Sequence, residues 1–357
     1  MSPALGLNTG HATHAEILRR LTETDPSALA ELWRQADEMR QAVVGDEVHL
    51  RGLIEISNHC VRRCGYCGLR VGNRALRRYR MDEDDILACA RHAQALSYGT
   101  VVLQAGEDPG LETHWVTQVV RRIKSETGLA VTLSLGERDE DELRAWRAAG
   151  ADRYLLRFET SDEDLYRRIH PPLPGGATDR IALLRRLREF GYEIGSGIMV
   201  GIPGQTFTTV AHDIEVFADL DLDMIGIGPY IAHPATPLGD GRWAPPNPLP
   251  DQVPGDETTV CKVLALTRLA CPEANLPSTT ALATINKTSG RETALQRGAN
   301  VIMPNLTPPH FRELYEIYPD KACLNETADM CGTDLPAHLA ALGRRVGVGP
   351  GGRRREG

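Results

Sequence analysis

From residue 48 onward the chain alternates between short apolar runs and longer amphipathic stretches, and no other feature limits its fold as much. Eight runs read as strands: 48–57, 100–104, 130–135, 152–157, 193–200, 224–228, 275–278 and 301–304. The segments between them, such as 82–97 and 206–220, carry apolar residues at helical spacing. They are long enough to return the chain to the start of a parallel neighbour. Eight strand–helix units in 357 residues predict an α/β architecture, a complete (β/α)8 TIM barrel rather than a doubly wound sheet. Ahead of it, Thr24-Asp25-Pro26 is a helix cap, followed by Leu29, Leu32, Trp33, Ala36 and Met39 at helical spacing and closed by Gly45-Asp46. The expected division is an N-terminal helical segment over 1–47, the barrel over 48–318 and a C-terminal extension over 319–357. The proline- and glycine-rich stretch 229–254 is expected to form a long ordered loop after the sixth strand.

In a barrel of this kind chemistry sits at the C-terminal ends of the strands. The first strand runs directly into Cys60, Cys64 and Cys67, spaced C-x3-C-x2-C beside Tyr66 and two glycines. Three thiolates can hold a [4Fe–4S] cluster and leave its fourth iron without a protein ligand. That iron can be chelated by the amino and carboxylate groups of S-adenosylmethionine, which an electron then cleaves to a 5′-deoxyadenosyl radical. Zinc is the alternative, but it wants a fourth Cys or His at short range, and His59 adjoins Cys60 too closely to serve.

Other strand ends carry polar residues. They include Gln104-Ala105-Gly106-Glu107-Asp108, Thr132 and Ser134, and then Arg153, Arg157, Glu159 and Thr160. Arg153 and Arg157, an even number of residues apart, share one strand face. Guanidinium groups inside a barrel call for carboxylates, supplied by Glu159 or by a ligand. Met224 is a core residue by type, although its strand position also suits a cavity wall. Of the eight cysteines, Cys323 and Cys331 lie together near the end and are better read as metal ligands. Cys89, Cys261 and Cys271 fall singly in helix-like segments and read as small core residues. A net charge of −8 disfavours nucleic acid, the absence of an 18-residue apolar run disfavours a membrane span, and no signal pattern opens the chain. These features point to the cytoplasm, with Arg353-Arg354-Arg355 as a solvated tail.

Taken together, the cysteine motif, Arg77-Arg78-Tyr79-Arg80-Met81, Gln104 to Asp108, Thr132 to Glu137, Tyr154-Leu155-Leu156-Arg157, Met199-Val200-Gly201, Pro203 to Thr206 and Val301 to Asn305 resemble the HydE family of radical S-adenosylmethionine maturases of [FeFe]-hydrogenase. The resemblance spans about residues 20–355. It implies a closed internal cavity with the cluster and S-adenosylmethionine at one end. Glu159 and Arg180 would hold the cosubstrate, helped by Ser134, Gln104 and Tyr66. Thr132, Arg153, Arg157, Met224, Thr279, Thr280 and Tyr318 would form the inner substrate site. The implied substrate is a small sulfur-containing molecule, a cysteine-bound iron carbonyl cyanide that the radical attacks at sulfur. The implied partners are an electron donor such as flavodoxin or ferredoxin, and other hydrogenase maturases.

The chain departs from the family pattern at Ala105, where serine is usual, at Phe158, where histidine is common, at Leu306 for Trp and at Phe311 for Tyr. A second iron–sulfur cluster, where the family carries one, takes C-x7-C-x2-C; Cys323 and Cys331 keep the first spacing, but Asp334 stands in the third place. A carboxylate is a harder ligand than a thiolate, which puts that cluster in doubt. Two other readings stay open. One is another radical barrel enzyme, such as a methylornithine synthase or biotin synthase relative; the other is a noncatalytic iron–sulfur carrier.

Overall fold

The computed structural model describes residues 13–353 apart from 175, 177, 178, 244, 246–248 and 323–327, and leaves out the side chains of 328–334. Two helices come first, α1 (His14–Leu21) and α2 (Pro26–Val44). The second begins as the sequence predicts: the Asp25 carboxylate accepts from the Ala28 amide at 2.9 Å and Pro26 opens the first turn. Then β1 (Glu47–Ser57), β2 (Thr100–Ala105), β3 (Ala130–Ser134), β4 (Arg153–Leu155), β5 (Glu193–Val200) and β6 (Met224–Pro229) follow. They are separated by α3 (Glu83–Ala95), α4 (Thr113–Thr127), α5 (Glu140–Ala148), the pair α6 (Glu163–Ile169) and α7 (Arg180–Glu189), and α8 (Phe207–Asp219). After β6 come α9 (Glu257–Ala270), α10 (Thr280–Ile285), α11 (Gly290–Leu295), β7 (Val301–Ile302), α12 (Pro309–Arg312), α13 (Ala328–Ala341) and β8 (Arg345–Val346).

The strands form one parallel sheet in the order β6-β5-β4-β3-β2-β1-β7, and β8 also pairs with β1. The interior faces of the helices are what drive this arrangement. Ile86, Leu87, Ala90 and Ala93 of α3 and Val116, Val119, Val120 and Ile123 of α4 are buried, each row recurring at helical spacing against the sheet. Cys89 and Cys261 are buried core residues, as their single placement suggests. Among the described residues no helix is long and apolar enough to cross a membrane.

Four features depart from expectation. The stretch 275–278 is not a strand of the sheet; it makes isolated parallel bridges, Asn275 to Met224 and Pro277 to Val301. Its backbone hydrogen bonds are nonetheless used on both sides, Ile225 donating to the Asn275 carbonyl and Ser278 to the Val301 carbonyl, each at 2.9 Å. The eighth strand is instead Arg345–Val346, which lies beside Glu47 and Val48 at the N-terminal end of β1. Beyond it the tail runs under the sheet rather than into solvent. Arg51 and Asn275 both donate to the Gly351 carbonyl, at 2.9 and 3.2 Å, and Thr100 donates to that of Pro350 at 2.9 Å. Arg353 is held by Glu273 at 2.6 Å, while Arg354 and Arg355 lie outside the described residues.

Lastly, β4 ends at Leu155, before the Arg157 of the predicted strand. Pairing with β5 resumes only as single contacts, Leu156 donating to the Gly195 carbonyl and Glu159 to that of Gly197. Glu159 itself has φ +64°, a left-handed conformation uncommon for a residue with a side chain.

Candidate active site

The loop after β1 is tied down on every side. Val61 donates to the Glu107 carbonyl, Gly65 to that of Ile169 and Gly68 to that of Ile317, at 2.9, 2.7 and 2.9 Å. The Asn58 amide reaches the Arg77 and Leu314 carbonyls at 2.8 Å, and Ser57 donates to Asp108 at 2.6 Å. Gly106, at the exit of β2, lies so close that a Cβ there would collide with the His59 carbonyl and the Cys60 side chain. Glycine at that position is therefore a requirement of close approach.

This anchoring gathers Cys60, Cys64 and Cys67, all free thiols. Burial, reinforced by the nearness of Cys67 and Cys60, pushes the Cys64 thiol well above its ordinary value, and burial pushes that of Cys67 up to about 12. Three thiolates gathered here, one buried and two half-buried, would repel one another without a multivalent cation between them, and an iron–sulfur cluster supplies that charge. The donor set fits the group.

One neighbour carried no sequence signal. His170, the residue that ends α6, places Nδ1 3.1 Å from the Cys64 sulfur and 3.3 Å from the Tyr66 hydroxyl. Its ring stacks on Tyr166 with centroids 5.0 Å apart. Burial, then the charges of Arg180 and Arg62, lower its pKa to about 2, so it is a neutral imidazole. Nothing in the spacing from Cys64 to His170 links them; only the packing of α6 against the loop does.

Beneath the loop lies a buried network of alternating charge. Arg62 pairs with Glu107 and Glu137, and Arg180 pairs with the same two carboxylates at 2.8 and 2.7 Å. Arg180 also meets His170 Nε2 at 3.0 Å and the Arg157 carbonyl at 2.7 Å. Glu107, Glu137 and His170 bring potential metal-ligand atoms within 4.8 Å of one another. Two guanidinium groups already neutralise those carboxylates, which disfavours a further cation there. A cavity of about 250 Å³ opens beside the network; its lining includes Arg62, Thr160, Tyr166, His170 and Arg180 but none of Gln104, Ser134 or Glu159.

Of the residues expected around the cosubstrate, Gln104 and Ser134 are register partners at the ends of β2 and β3. Glu159 is buried and gripped by Arg157, whose Nε and Nη2 both lie 3.0 Å from its carboxylate. Glu159 and Arg180 are thus linked through Arg157, by its side chain to one and its carbonyl to the other. The residues expected around a substrate divide into two levels. Tyr318, half-buried, stands close enough to Arg157 to bear on its charge, and Thr279 donates to the Ile227 carbonyl at 3.0 Å while capping α10, where Thr280 begins. Arg153 and Met224 lie nearer the tail: Arg153 pairs with Glu193 and donates to Thr100 and to the Pro350 carbonyl, and the Met224 sulfur accepts from Arg51 at 2.8 Å. Thr132, register partner of Arg153, is buried with its hydroxyl unpartnered. Phe158 is buried against Phe217, centroids 5.4 Å apart, and Phe311 stacks on Tyr79 at 4.8 Å. Cys323 lies outside the described residues, and Cys331 falls on α13 where side chains are outside them.

Residues 54–220 match the model of the radical SAM superfamily. The chain is 45% identical over 324 residues to the [FeFe] hydrogenase maturase subunit HydE of Thermotoga maritima, covering 91% of this chain and 89% of that protein. It is 26% identical to the 3-methylornithine synthase of Methanosarcina acetivorans over 77% of this chain and 74% of that one. The crystal structure of methylornithine synthase (PylB) superposes with a TM-score of 0.79 at 22% identity, covering 96% of both chains, which shows a shared fold. With its cysteine loop after β1 and near full-length identity to a curated maturase subunit, this chain belongs to the HydE family of radical S-adenosylmethionine enzymes.

Proposed function

We propose that this chain takes part in assembling the catalytic cluster of an [FeFe]-hydrogenase, by radical attack at the sulfur of a small cysteine-bound iron carbonyl cyanide. The single observation that carries this reading is the identity to the Thermotoga maritima maturase subunit over nine-tenths of both chains, cysteine loop included. The proposed frame is a complete (β/α)8 barrel over 48–318, supported by the bridges that 275–278 makes to Met224 and Val301, with helices over 1–47 and an extension over 319–357. Cys60, Cys64 and Cys67 would hold a [4Fe–4S] cluster, which when bound supplies the electron that cleaves S-adenosylmethionine to methionine and a 5′-deoxyadenosyl radical.

The protein's own work is binding and exclusion. Glu159 would accept the cosubstrate ammonium and Arg180 would meet its carboxylate, with Tyr66, Gln104 and Ser134 alongside. Each charged contact is worth roughly 1.5–3 kcal/mol. For Arg180 to serve, its bonds to Glu107 and Glu137 must share the guanidinium, whose five donors allow this. Thr132, Arg153, Arg157, Met224, Thr279, Thr280 and Tyr318 would line the substrate space. The proposal extends to a cytoplasmic location, to an electron donor such as flavodoxin or ferredoxin, and to contact with other maturases. A second iron–sulfur cluster at Cys323 and Cys331 is part of it only as an accessory, because Asp334 replaces the third thiolate.

The test is anaerobic reconstitution, reduction and incubation with S-adenosylmethionine and a cysteine-bound iron dicarbonyl cyanide as candidate substrate. The iron compound should be consumed with transfer of the 5′-deoxyadenosyl group to its sulfur, and the Cys64→Ala protein should neither consume it nor cleave S-adenosylmethionine. Cleavage of S-adenosylmethionine with the iron compound left unchanged would overturn the reading in favour of another radical reaction.

A further inference from the structure

Residues 61–80 contain seven arginines and no Asp or Glu, in a chain whose net charge is −8. Four of the seven are committed. Arg62 turns inward to Glu107 and Glu137, Arg80 pairs with Asp108, Arg70 donates to the Cys64 carbonyl, and Arg78 stitches the loop through the Asn58, Leu69 and Arg70 carbonyls. Arg63, Arg74 and Arg77 are exposed and pair with no carboxylate among the described residues. Beside Arg63 lies an apolar spot: Val61 and Val71 are 37% and 45% exposed, and the Val71 amide donates to the carbonyl of Arg62, which stands between Val61 and Arg63 in the chain. Around the loop Glu107, Glu137 and Asp108 are engaged as above, and Asp240, whose carboxylate senses Arg70, is held by Arg242 at 2.7 Å; the exposed Glu316 stands beside Gly68.

We infer that this face, built on the same loop that carries Cys60, Cys64 and Cys67, is the docking surface for a small acidic one-electron carrier protein. The inference rests on the radical reading above. In that chemistry one electron per turnover must reach the cysteine loop from outside the chain: the carrier is oxidised by one electron, and the electron breaks the sulfonium carbon–sulfur bond of S-adenosylmethionine, giving methionine and a carbon radical. A face of unpaired guanidinium groups with a small apolar spot suits a brief encounter with an acidic protein, since charge sets the approach and little area is needed. A nucleic acid would use the arginines but gain nothing from two exposed valines.

The test uses the reconstituted full chain carrying Arg63→Glu, Arg74→Glu and Arg77→Glu together, with the corresponding triple Gln variant in case the first folds poorly. Affinity for a flavodoxin is measured by titration at several ionic strengths, and 5′-deoxyadenosine formation is measured with reduced flavodoxin and, separately, with dithionite. Flavodoxin affinity should fall at least about tenfold in the Glu variant and about threefold in the Gln variant, with a flattened salt dependence, while iron content and dithionite-driven turnover stay at parent values. Flavodoxin affinity within about twofold of the parent in both variants would overturn the inference, as would parent binding that ignores salt or a tighter, competing complex with a single-stranded oligonucleotide. Because affinity is read without turnover, a parent protein that forms no 5′-deoxyadenosine would sink the proposed function and leave the docking result legible.

Discussion

Arg157 and Glu159 show how one side chain fixes another. Glu159 is 6% exposed and sits in a left-handed backbone conformation, so its carboxylate depends on the guanidinium beside it. Arg157→Ala should leave that charge buried and unpaired. Such losses run to about 3–5 kcal/mol, and with the Arg157 side chain 29% exposed the lower end is expected, read as a reduced midpoint in chemical denaturation. A loss below about 1 kcal/mol would mean that Glu159 finds another partner. Asp213 carries a pH dependence. Its Oδ1 accepts from the Ser161 amide and hydroxyl at 2.6 Å, Oδ2 is buried without a partner, and burial pushes the carboxyl up to about 7 from an ordinary 3.8. A raised pKa favours the protonated form in the folded state, so the stability it confers is full below about 3.8 and is lost as pH rises through about 7. Denaturation between those values should show a decline of at most about 1.4 kcal/mol per pH unit, which Asp213→Asn removes. An identical slope in the variant would assign the decline to other groups.

Among the elements, the exit of β2 governs the cysteine loop. The Gly106 backbone lies against His59 and Cys60, so Gly106→Ala must shift one of them. The expected result is a folded protein, unchanged in far-ultraviolet circular dichroism, that takes up less than about half the parent's iron on reconstitution. Full iron uptake would show that the loop yields without moving its thiols. The same scale explains what the strand pattern concealed. The run 152–157 reads as one strand, yet β4 stops at Leu155 because the chain turns to bring Arg157 and Glu159 together. Periodicity reports burial, and a buried bend is as apolar as a buried strand.

For the molecule as a whole, the tail is a structural part of the sheet end. Its carbonyls at Pro350 and Gly351 take hydrogen bonds from Thr100, Arg153, Arg51 and Asn275, and burial, then the charge of Arg153, lowers the Arg51 guanidinium to about 9. Removing residues 345–357 should strip these acceptors from two buried guanidinium groups. A fall of several degrees in melting temperature is expected, together with faster hydrogen exchange in β2 and β4 than in β5, measured by mass spectrometry. Unchanged melting would mean that water replaces the tail without cost.

Linear pattern was enough for the α/β alternation, the caps of α2 and the place of the three cysteines directly after β1, because each depends on neighbours a few residues apart. It also carried the family, since the cysteine spacing and the dispersed motifs are linear signals. It offered Glu159 as a carboxylate for the neighbouring arginines, but it could not disclose His170 beside Cys64 or Arg180 against the Arg157 carbonyl, because residues far apart in the chain meet there only through helix packing. Nor could it foresee that β1 would take its last partner from Arg345–Val346 while 275–278 supplied only bridges. Hydrophobic pattern sets which residues are buried; which buried donors find which acceptors is decided when the strands have closed on one another and every polar group inside must be satisfied.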